Sequence, residues 1–270
     1  MTTVLKYKSP HTNKPLFAQL FHGRQGAFSG GWTLVWHPKS SYTGPMCGRF
    51  QIQKNKKSKK LLNKLDVDEA DILFSADKAP GSRISIIHRE KDRNVVTQAT
   101  WWLLIDPATG KPNYKYASFN SRSDKLNSPR AIAYQPFRES RCIIPATAFL
   151  EGKGDKKTYH KIELKDEAIA FGGLHRETVD KNTGEVIHSA SIITLPPLKE
   201  WEAIHPKSMP LMLPLDDEGL LNRWLAPSFH DVDSFADLLE PAIRVDQVLT
   251  PIEKPSKWNE SGEAFTIPAQ

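Results

Sequence analysis

Short apolar or alternating runs, separated by turn-forming residues, are the feature that most limits how this chain can fold. Runs of this kind, bounded by Gly, Pro, Asn, Asp and Ser, are typical of β-strands. The predicted strands are Gly48–Ile52, Ile84–Ile87, Val95–Trp101, Arg141–Pro145, Tyr159–Leu164, Ala168–Leu174 and Ser189–Thr194. Most of the regular structure is therefore expected to be strand.

Helical patterns are fewer. One predicted helix follows Lys54 and has apolar residues at Leu61 and Leu62, a second spans about Asp216–Trp224, and a third spans about Val232–Leu239. Many short strands with scattered helices favour an α+β domain over an array of βαβ units. No internal repeat and no glycine-rich phosphate loop interrupts this pattern.

Residues 1–45 differ in charge from the rest of the chain. They contain five basic residues and no Asp or Glu, so they account for +5 of the net charge of +6. They also show no sustained period of 2 or 3.6 residues. We expect residues 1–45 to be an N-terminal extension that is disordered, processed, or the result of a wrongly assigned start, and residues 46–270 to be one domain.

Composition excludes several classes of protein. Hydrophobic residues at 39% and charged residues at 25% describe a globular protein. No run approaches the roughly 18–20 apolar residues of a membrane helix, so no membrane partner is expected. The chain has two cysteines, which cannot form a disulfide framework. A reducing, cytoplasmic compartment is therefore the default expectation.

A cluster of basic residues follows the first predicted strand of the domain. It consists of Arg49, Lys54, Lys56, Lys57, Lys59 and Lys60. Such a cluster can neutralise several phosphates of a nucleic acid. A solvated helix face is the more common meaning of a charge run, and the sequence leaves both interpretations open.

The two cysteines have different surroundings. Cys142 lies in an apolar run with Ile143 and Ile144, where a free cysteine acts as a small hydrophobic residue. Cys47 lies beside Gly48 and Arg49, and a neighbouring cation favours the thiolate. No pair of histidines has helical ligand spacing, so neither a metal nor another cofactor is predicted.

Met46 gives Cys47 a second potential reactive group. If translation begins at Met46, removal of that methionine leaves Cys47 with a free α-amino group. An amine next to a thiol can condense with an aldehyde to an imine, and the thiol can then close a five-membered thiazolidine ring. The natural aldehyde found in a macromolecule is that of the ring-opened sugar at an abasic site in DNA. Such covalent chemistry needs a nearby proton donor and acceptor.

Several sequence blocks resemble those of the SRAP family, the SOS-response-associated peptidase-like proteins. In chain order they are Met46-Cys47-Gly48-Arg49-Phe50, Trp102 and its strand, Phe119–Asp124, Phe137 with Arg141–Ala146 and Phe149–Glu151, Phe171–Leu174, Ile192–Thr194, and Ile204–His205 with Met209–Pro210. The resemblance covers residues 46 to about 225. It implies a single β-rich domain of mixed, mostly antiparallel strands curled around a core, with a few flanking helices.

The resemblance also implies catalytic roles. Cys47 would form the ring with the abasic aldehyde, and Glu151 would act as general acid and base. His205 would orient or protonate the sugar oxygen, and Asn120 would contact the opened sugar. Without the resemblance, Glu151 and His205 would be interpreted as surface loop residues and Asn120 as a turn residue.

A second set of residues would bind DNA. Arg122 would hold a phosphate bidentately, although on its own it is interpreted as a surface cation. Arg49 would line the same groove, with Trp101 or Trp102 as a stacking surface and the other tryptophan in the core. Lys207 or Ser208 stands where the family has an arginine, and Gly152 where it commonly has a tryptophan.

The predicted function is that of an abasic-site sensor that crosslinks to single-stranded or junction DNA in the SOS response to DNA damage, with lyase-like chemistry. A cysteine-type protease, a hydrolase acting on its own leader, is one alternative. A non-catalytic DNA-binding module is the other. The protein is expected to be a monomer in the bacterial cytoplasm, associated with the nucleoid when bound to DNA.

Overall fold

The computed structural model describes the backbone of residues 4–9 and 12–19 and all atoms of residues 48–270. The chain divides into two compact units, Met1–Ser41 and Tyr42–Gln270. In the first unit, β1 (Val4–Ser9) and β2 (Thr12–Gln19) form an antiparallel pair. This pair was not predicted. The rest of the predicted extension, and Cys47, lie outside the described residues, so the extension stays a prediction.

The second unit contains fifteen strands among its described residues. They are β3 (Arg49–Ile52), β4 (Ser75–Lys78), β5 (Arg83–Glu90), β6 (Arg93–Trp101), β7 (Ile105–Asp106), β8 (Lys111–Pro112), β9 (Asn120–Arg122), β10 (Arg141–Ala146), β11 (Ala148–Gly152), β12 (Tyr159–Leu164), β13 (Ile169–Val179), β14 (Val186–Leu195), β15 (Met209–Pro210), β16 (Gln247–Ile252) and β17 (Phe265–Ile267). Each of the seven predicted strands is present, with boundaries shifted by a few residues.

Five of these strands close into a barrel. Their order is β13-β10-β5-β6-β14, and β14 pairs back with β13 to complete the ring. The pairing of β14 with β6 is parallel, and the other four pairings are antiparallel. This architecture of mixed, mostly antiparallel strands confirms the predicted fold class. Closure also satisfies strand edges that an open sheet would leave unpaired.

A second sheet lies outside the barrel, in the order β17-β16-β12-β11-β3-β4. All its pairings are antiparallel. The ring centroid of Phe50 on β3 lies 4.9 Å from that of Trp101 on β6 and 6.1 Å from that of Phe171 on β13. The ring centroids of Phe149 on β11 and Phe171 are 5.5 Å apart. These buried rings form a core shared by the sheet and the barrel, so the sheet is fixed against the barrel.

Helices occur at the edges of this core. They are α1 (Lys56–Lys64), α2 (Tyr134–Glu139), α3 (Glu218–Leu225) and α4 (Ala236–Leu239), and 3₁₀ turns span Glu69–Asp71, Ser123–Lys125, Lys199–Trp201 and Val232–Phe235. No helix in the described part of the chain is long and apolar enough to cross a membrane.

The three predicted helices are confirmed, and side-chain caps explain where two of them begin. Asn55 caps α1 by accepting from the Ser58 backbone amide, and Asp217 caps α3 in the same way. The third predicted helix is a 3₁₀ turn followed by the short α4. Helix α2 was not predicted.

Candidate active site

Glu151 is a buried carboxyl group near the end of β11. Its side chain is 1% exposed. The strand pairs with β3 on one side, where Leu150 lies opposite Arg49, and with β12 on the other, where Glu151 lies opposite His160. Because the backbone is fixed on both sides, the carboxyl group has a defined position. The alternative that Glu151 is a surface loop residue is therefore wrong.

His205 is fully buried and lies against the end of the same strand. Its Nδ1 atom is 2.7 Å from the backbone oxygen of Gly152 and 3.6 Å from Oε2 of Glu151. Its backbone amide donates to the oxygen of Trp201, at the end of a 3₁₀ turn. The alternative that His205 is a surface residue is wrong as well. The structure thus brings together two predicted catalytic residues that are distant in sequence.

The hydrogen bond to Gly152 determines the tautomer of His205. A carbonyl oxygen can only accept, so Nδ1 carries the proton and Nε2 of the neutral ring has the lone pair. Burial lowers the pKa of His205, and the charge of Lys207 lowers it further, although the bond to Gly152 acts in the opposite direction. Nε2 has no hydrogen-bond partner among residues 48–270. The ring can therefore accept a hydrogen bond or a proton through Nε2.

Strand β14 places the Asn120 block beside the segment that follows His205. Asn120 and Arg122 of β9 pair in parallel with β14, and Thr194 lies opposite both Arg122 and Pro210 of β15. Asn120 is therefore part of a strand and not a turn residue. Its neighbour two positions on, Arg122, is exposed.

Arg122 already has a bidentate partner. Its Nε and Nη2 atoms each donate to a carboxylate oxygen of Asp124 at 2.9 Å. The hydrogen bond from Arg122 lowers the pKa of Asp124. A phosphate would have to compete with this carboxylate for the guanidinium group. The predicted phosphate contact at Arg122 stays a prediction.

Arg49, at the start of β3, forms an ion pair through Nη1 with Oδ2 of Asp77 on β4. The two side chains are 31% and 39% exposed, so the pair is accessible to solvent. Nε and Nη2 of Arg49 make no hydrogen bond within the described part of the chain. They remain available as donors toward an anion.

Both candidate stacking residues are buried. Trp101 is 0% exposed and donates from Nε1 to the oxygen of Phe119, and Trp102 is 3% exposed. The ring of Trp102 packs against those of Tyr114 and Phe119, with centroid distances of 5.1 and 5.3 Å. A base could stack on Trp102 only if neighbouring groups moved. The stacking role of Trp102 stays a prediction, and the burial of its ring opposes direct contact with a base.

Lys207 and Ser208 lie between His205 and β15. Lys207 is exposed, and Ser208 is partly buried with a hydroxyl group that has no partner among the described residues. The lysines of α1 are also mostly exposed, as both interpretations of the cluster require.

Cys142 is fully buried on β10, and burial raises the pKa of its thiol well above the usual range. This confirms its prediction as a small core residue. Cys47 lies outside the described residues, next to Gly48 in the sequence. Continuing the β3–β11 register by one residue would place Gly48 opposite Glu151. Within residues 48–270, no three His, Cys, Asp or Glu side chains are arranged to hold a metal.

Three features near the site were not predicted from the sequence. They are the backbone oxygen of Gly152, the carboxylate of Asp77 and the imidazole of His160. His160 was within a predicted strand, and Gly154 and Asp155 are turn signals between it and Glu151. A predicted hairpin across that turn would have indicated the neighbour relation, whereas the contact of Gly152 with His205 has no local signal.

Comparison with known proteins gives one family. The sequence model described as SOS response associated peptidase (SRAP) matches residues 46–255. No curated protein matches the chain.

Solved structures share the fold at low sequence identity. A protein from Bacteroides thetaiotaomicron is 23% identical, with 72% of this chain and 87% of that chain covered and a TM-score of 0.58. A protein from Bordetella bronchiseptica is 21% identical, with 76% and 99% covered and a TM-score of 0.59. A phage-related protein from the same organism is 16% identical, with 80% and 100% covered and a TM-score of 0.54.

Proposed function

This chain belongs to the SRAP family, and on that basis we propose that it is an abasic-site sensor that forms a covalent thiazolidine crosslink with single-stranded DNA through Cys47. The observation that most supports the proposal is the buried pair of Glu151 and His205, with Oε2 and Nδ1 3.6 Å apart, at the end of β11 where continuation of the β3–β11 register would place Gly48. A fixed carboxyl group and a neutral imidazole supply the proton transfers that the crosslink requires.

The reaction has two bond-forming steps. The amine of Cys47 attacks the aldehyde carbon of the ring-opened sugar, and loss of one water molecule gives an imine. The thiol sulfur then adds to the carbon of the protonated imine, which closes the five-membered ring and leaves one hydrogen on the nitrogen. Glu151 donates a proton to the departing hydroxyl group and accepts the proton of the thiol, as a general acid and base does.

His205 acts on the sugar oxygen in this proposal. Because its Nδ1 proton is held by Gly152, Nε2 accepts a hydrogen bond from the sugar hydroxyl group or from water. The ring is neutral at pH 7 since burial lowers its pKa, so it can take up a proton. Asn120 contacts the opened sugar.

The proposal also covers the DNA contacts, the oligomeric state and the N-terminus of the protein. Arg49, Arg122, Lys207 and Ser208 contact phosphates, and single-stranded or junction DNA is the partner, with no membrane involved. The protein acts as a monomer in the bacterial cytoplasm during the damage response. The amine of Cys47 is free only when the chain begins at that residue, so processing after Met46 is part of the proposal.

A crosslinking assay tests the proposal. A chain that begins with Cys47 is incubated with a single-stranded oligonucleotide containing one abasic site, and a heat-stable product of reduced mobility is expected on a denaturing gel. Cys47→Ala should abolish this product. Cys142→Ala is the matched control and should retain it. If Cys47→Ala crosslinks as well as the unaltered chain, the aminothiol mechanism is wrong.

A cysteine peptidase that acts on its own leader is the second candidate, favoured by the description of the family. The test is the N-terminus of the full chain after expression. Release of residues 1–46 that stops in Glu151→Gln and His205→Asn would support this activity. An unprocessed N-terminus in the unaltered chain would contradict it.

A further inference from the structure

The loop between β16 and β17 connects two neighbouring strands at one edge of the outer sheet, the second sheet described above. It lies at the end of that sheet where the candidate site lies. It begins at Ile252, which lies opposite Tyr159, and Tyr159 in turn lies opposite Gly152. Trp258 in this loop donates from Nε1 to Oδ1 of Asp77, on β4, at 3.4 Å. In the sheet order, β16 and β4 are four positions apart, so this contact connects strands that do not pair.

The loop has a defined backbone. The amide of Glu253 donates to the oxygen of Asn259 at 3.0 Å, and the amide of Ser261 donates to the oxygen of Pro251 at 2.9 Å. Glu260 forms an ion pair with Lys161 of β12 at 2.7 Å. These contacts close the loop at its base, and Trp258 directly precedes Asn259, one of the residues that close it.

The backbone of Trp258 is in an unfavourable conformation. Its φ angle is +57°, in the left-handed region that bulky side chains rarely adopt. The Trp258 side chain is partly exposed. Its position in the sequence follows residue 255, where the match to the family model ends. A glycine would occupy this position without strain, whereas a large indole is placed there at a cost in stability. Strain of this kind is often found where a side chain is positioned for binding.

Asp77 holds two different side chains at once. Its Oδ2 atom pairs with Nη1 of Arg49, and its Oδ1 atom accepts from Trp258. The guanidinium group and the indole ring are thereby fixed relative to each other. Arg49 keeps donors that no described residue uses, and Trp258 offers an aromatic surface.

We propose that Trp258 and Arg49, positioned by Asp77, form a binding site for one nucleotide of single-stranded DNA next to the candidate active site, with the base on the indole and the phosphate on the guanidinium. A stacking aromatic ring combined with a cation is how proteins bind single strands without reading sequence. Lys254 and Lys257, both exposed in the same loop, add positive charge along the path of the strand. The inference rests on the proposed function for the identity of its ligand.

Equilibrium binding to an oligonucleotide without an aldehyde tests this site separately from the crosslink. The full chain is titrated into a fluorescent single strand that contains a tetrahydrofuran abasic analogue, at several salt concentrations. Trp258→Gly should raise the dissociation constant about tenfold, as expected for the loss of one stacked base, and leave the salt dependence unchanged. Trp258→Phe should stay within about threefold of the unaltered chain, since it keeps an aromatic face.

Stability separates a binding role of Trp258 from a structural one. Because glycine relieves the left-handed strain, Trp258→Gly should melt at the same temperature as the unaltered chain or higher. Lys91→Gly is the matched control: it removes a side chain at φ +53° in an exposed turn, and its dissociation constant should stay within about twofold. A lower melting temperature for Trp258→Gly with unchanged DNA affinity would overturn the proposal.

Asp77→Ala provides the sharpest distinction. Removing a negative charge near an anionic ligand should strengthen binding if Asp77 only opposes the DNA. If Asp77 positions Arg49 and Trp258, its loss should weaken binding about fivefold or more. Stronger binding by Asp77→Ala would overturn the proposal.

The two proposals fail in different ways. A chain that crosslinks normally while Trp258→Gly binds as tightly as the unaltered chain would contradict only this site. A chain that neither binds nor crosslinks single strands would contradict both this site and the proposed function.

Discussion

At the scale of single residues, the site depends on groups that are held in place before any ligand arrives. Glu151 is fixed by pairing on both sides of β11, and His205 is fixed by bonds from its ring to Gly152 and from its backbone to Trp201. Such fixed groups need little reorganisation when a reaction begins. The chemical roles of these residues are therefore testable by substitutions that keep their shape.

Glu151→Gln should slow crosslinking to abasic single strands by about 100- to 10,000-fold, the range expected for loss of a general acid and base. The amide has the same shape but exchanges no proton. The measurement is the rate of adduct formation at pH 7. Glu163→Gln, on the neighbouring strand β12, is the matched control and should react at the rate of the unaltered chain. Equal rates for Glu151→Gln would remove Glu151 from the mechanism.

His175 should make the protein less stable in acid. Burial lowers its pKa to about 3, and the charges of His88 and His188 act in the same direction. The ring is neutral in the folded state, so its contribution to stability is complete above pH 6.5 and is lost as the pH falls from 6.5 toward 3. Between pH 6 and 4, the free energy of unfolding should fall by about 1 kcal/mol for each pH unit because His175 binds a proton only on unfolding.

Urea unfolding at several pH values measures this effect. His175→Gln should flatten the dependence of the unfolding free energy on pH, because glutamine binds no proton. His230→Gln, the same substitution at an exposed histidine, is the control. A His175→Gln slope that matches that of the unaltered chain would contradict the assignment.

At the scale of elements, Arg141 connects β10 to two helices. Six backbone oxygens accept from its guanidinium group, those of Phe137, Arg138, Arg223, Trp224, Ala226 and Phe229. Burial lowers its pKa to about 10, so it is still charged at pH 7. Five of these carbonyl groups lie at the ends of α2 and α3, where the helix dipole gives partial negative charge, and the sixth, of Phe229, follows α3.

Arg141→Met should therefore lower the free energy of unfolding by about 3–5 kcal/mol, because several buried oxygens lose their donor. Chemical denaturation measures the change. Arg130→Met, a substitution at an exposed arginine, should cost less than about 0.5 kcal/mol. A loss below about 1 kcal/mol for Arg141→Met would mean that water replaces the guanidinium group.

The hairpin of β11 and β12 determines what can stand next to Glu151. A Cβ atom added to Gly152 would lie 2.8 Å from Cδ1 of Tyr159, so the tyrosine ring occupies the space of a larger residue there. Gly152→Trp should destabilise the protein by about 1–3 kcal/mol. Gly152→Trp with Tyr159→Gly should recover most of that loss. If the double variant is no more stable than Gly152→Trp, Tyr159 is not what excludes the side chain.

The sequence predicted the long strands better than the short ones. In the Tyr159–Leu164 strand, the residues from Lys161 to Leu164 alternate between polar and apolar, so its period was visible. Strand β11 was missed although it contains Glu151, because only Thr147 separates β10 from β11 and no Gly, Pro, Asn or Asp marks that boundary. Strands β9 and β15 are too short to show any period; their pairing with β14 defines them.

At the scale of the whole molecule, barrel closure was beyond what local patterns can indicate. The parallel pairing of β6 with β14 joins Thr100 to Ser189, residues that are far apart in sequence. The meeting of Glu151 with His205 has the same origin, since it depends on packing between the outer sheet and the segment before β15. Their identity as site residues came from the family resemblance, and their distance and burial came from the fold.

The most direct test of the central claim is the intact mass of the adduct between a chain beginning at Cys47 and an abasic single strand. One heat-stable species with the mass of both reactants less one water molecule is expected, and no such species with Cys47→Ala. A heat-stable adduct of the same mass with Cys47→Ala, or no adduct when the amine of Cys47 is free, would contradict it.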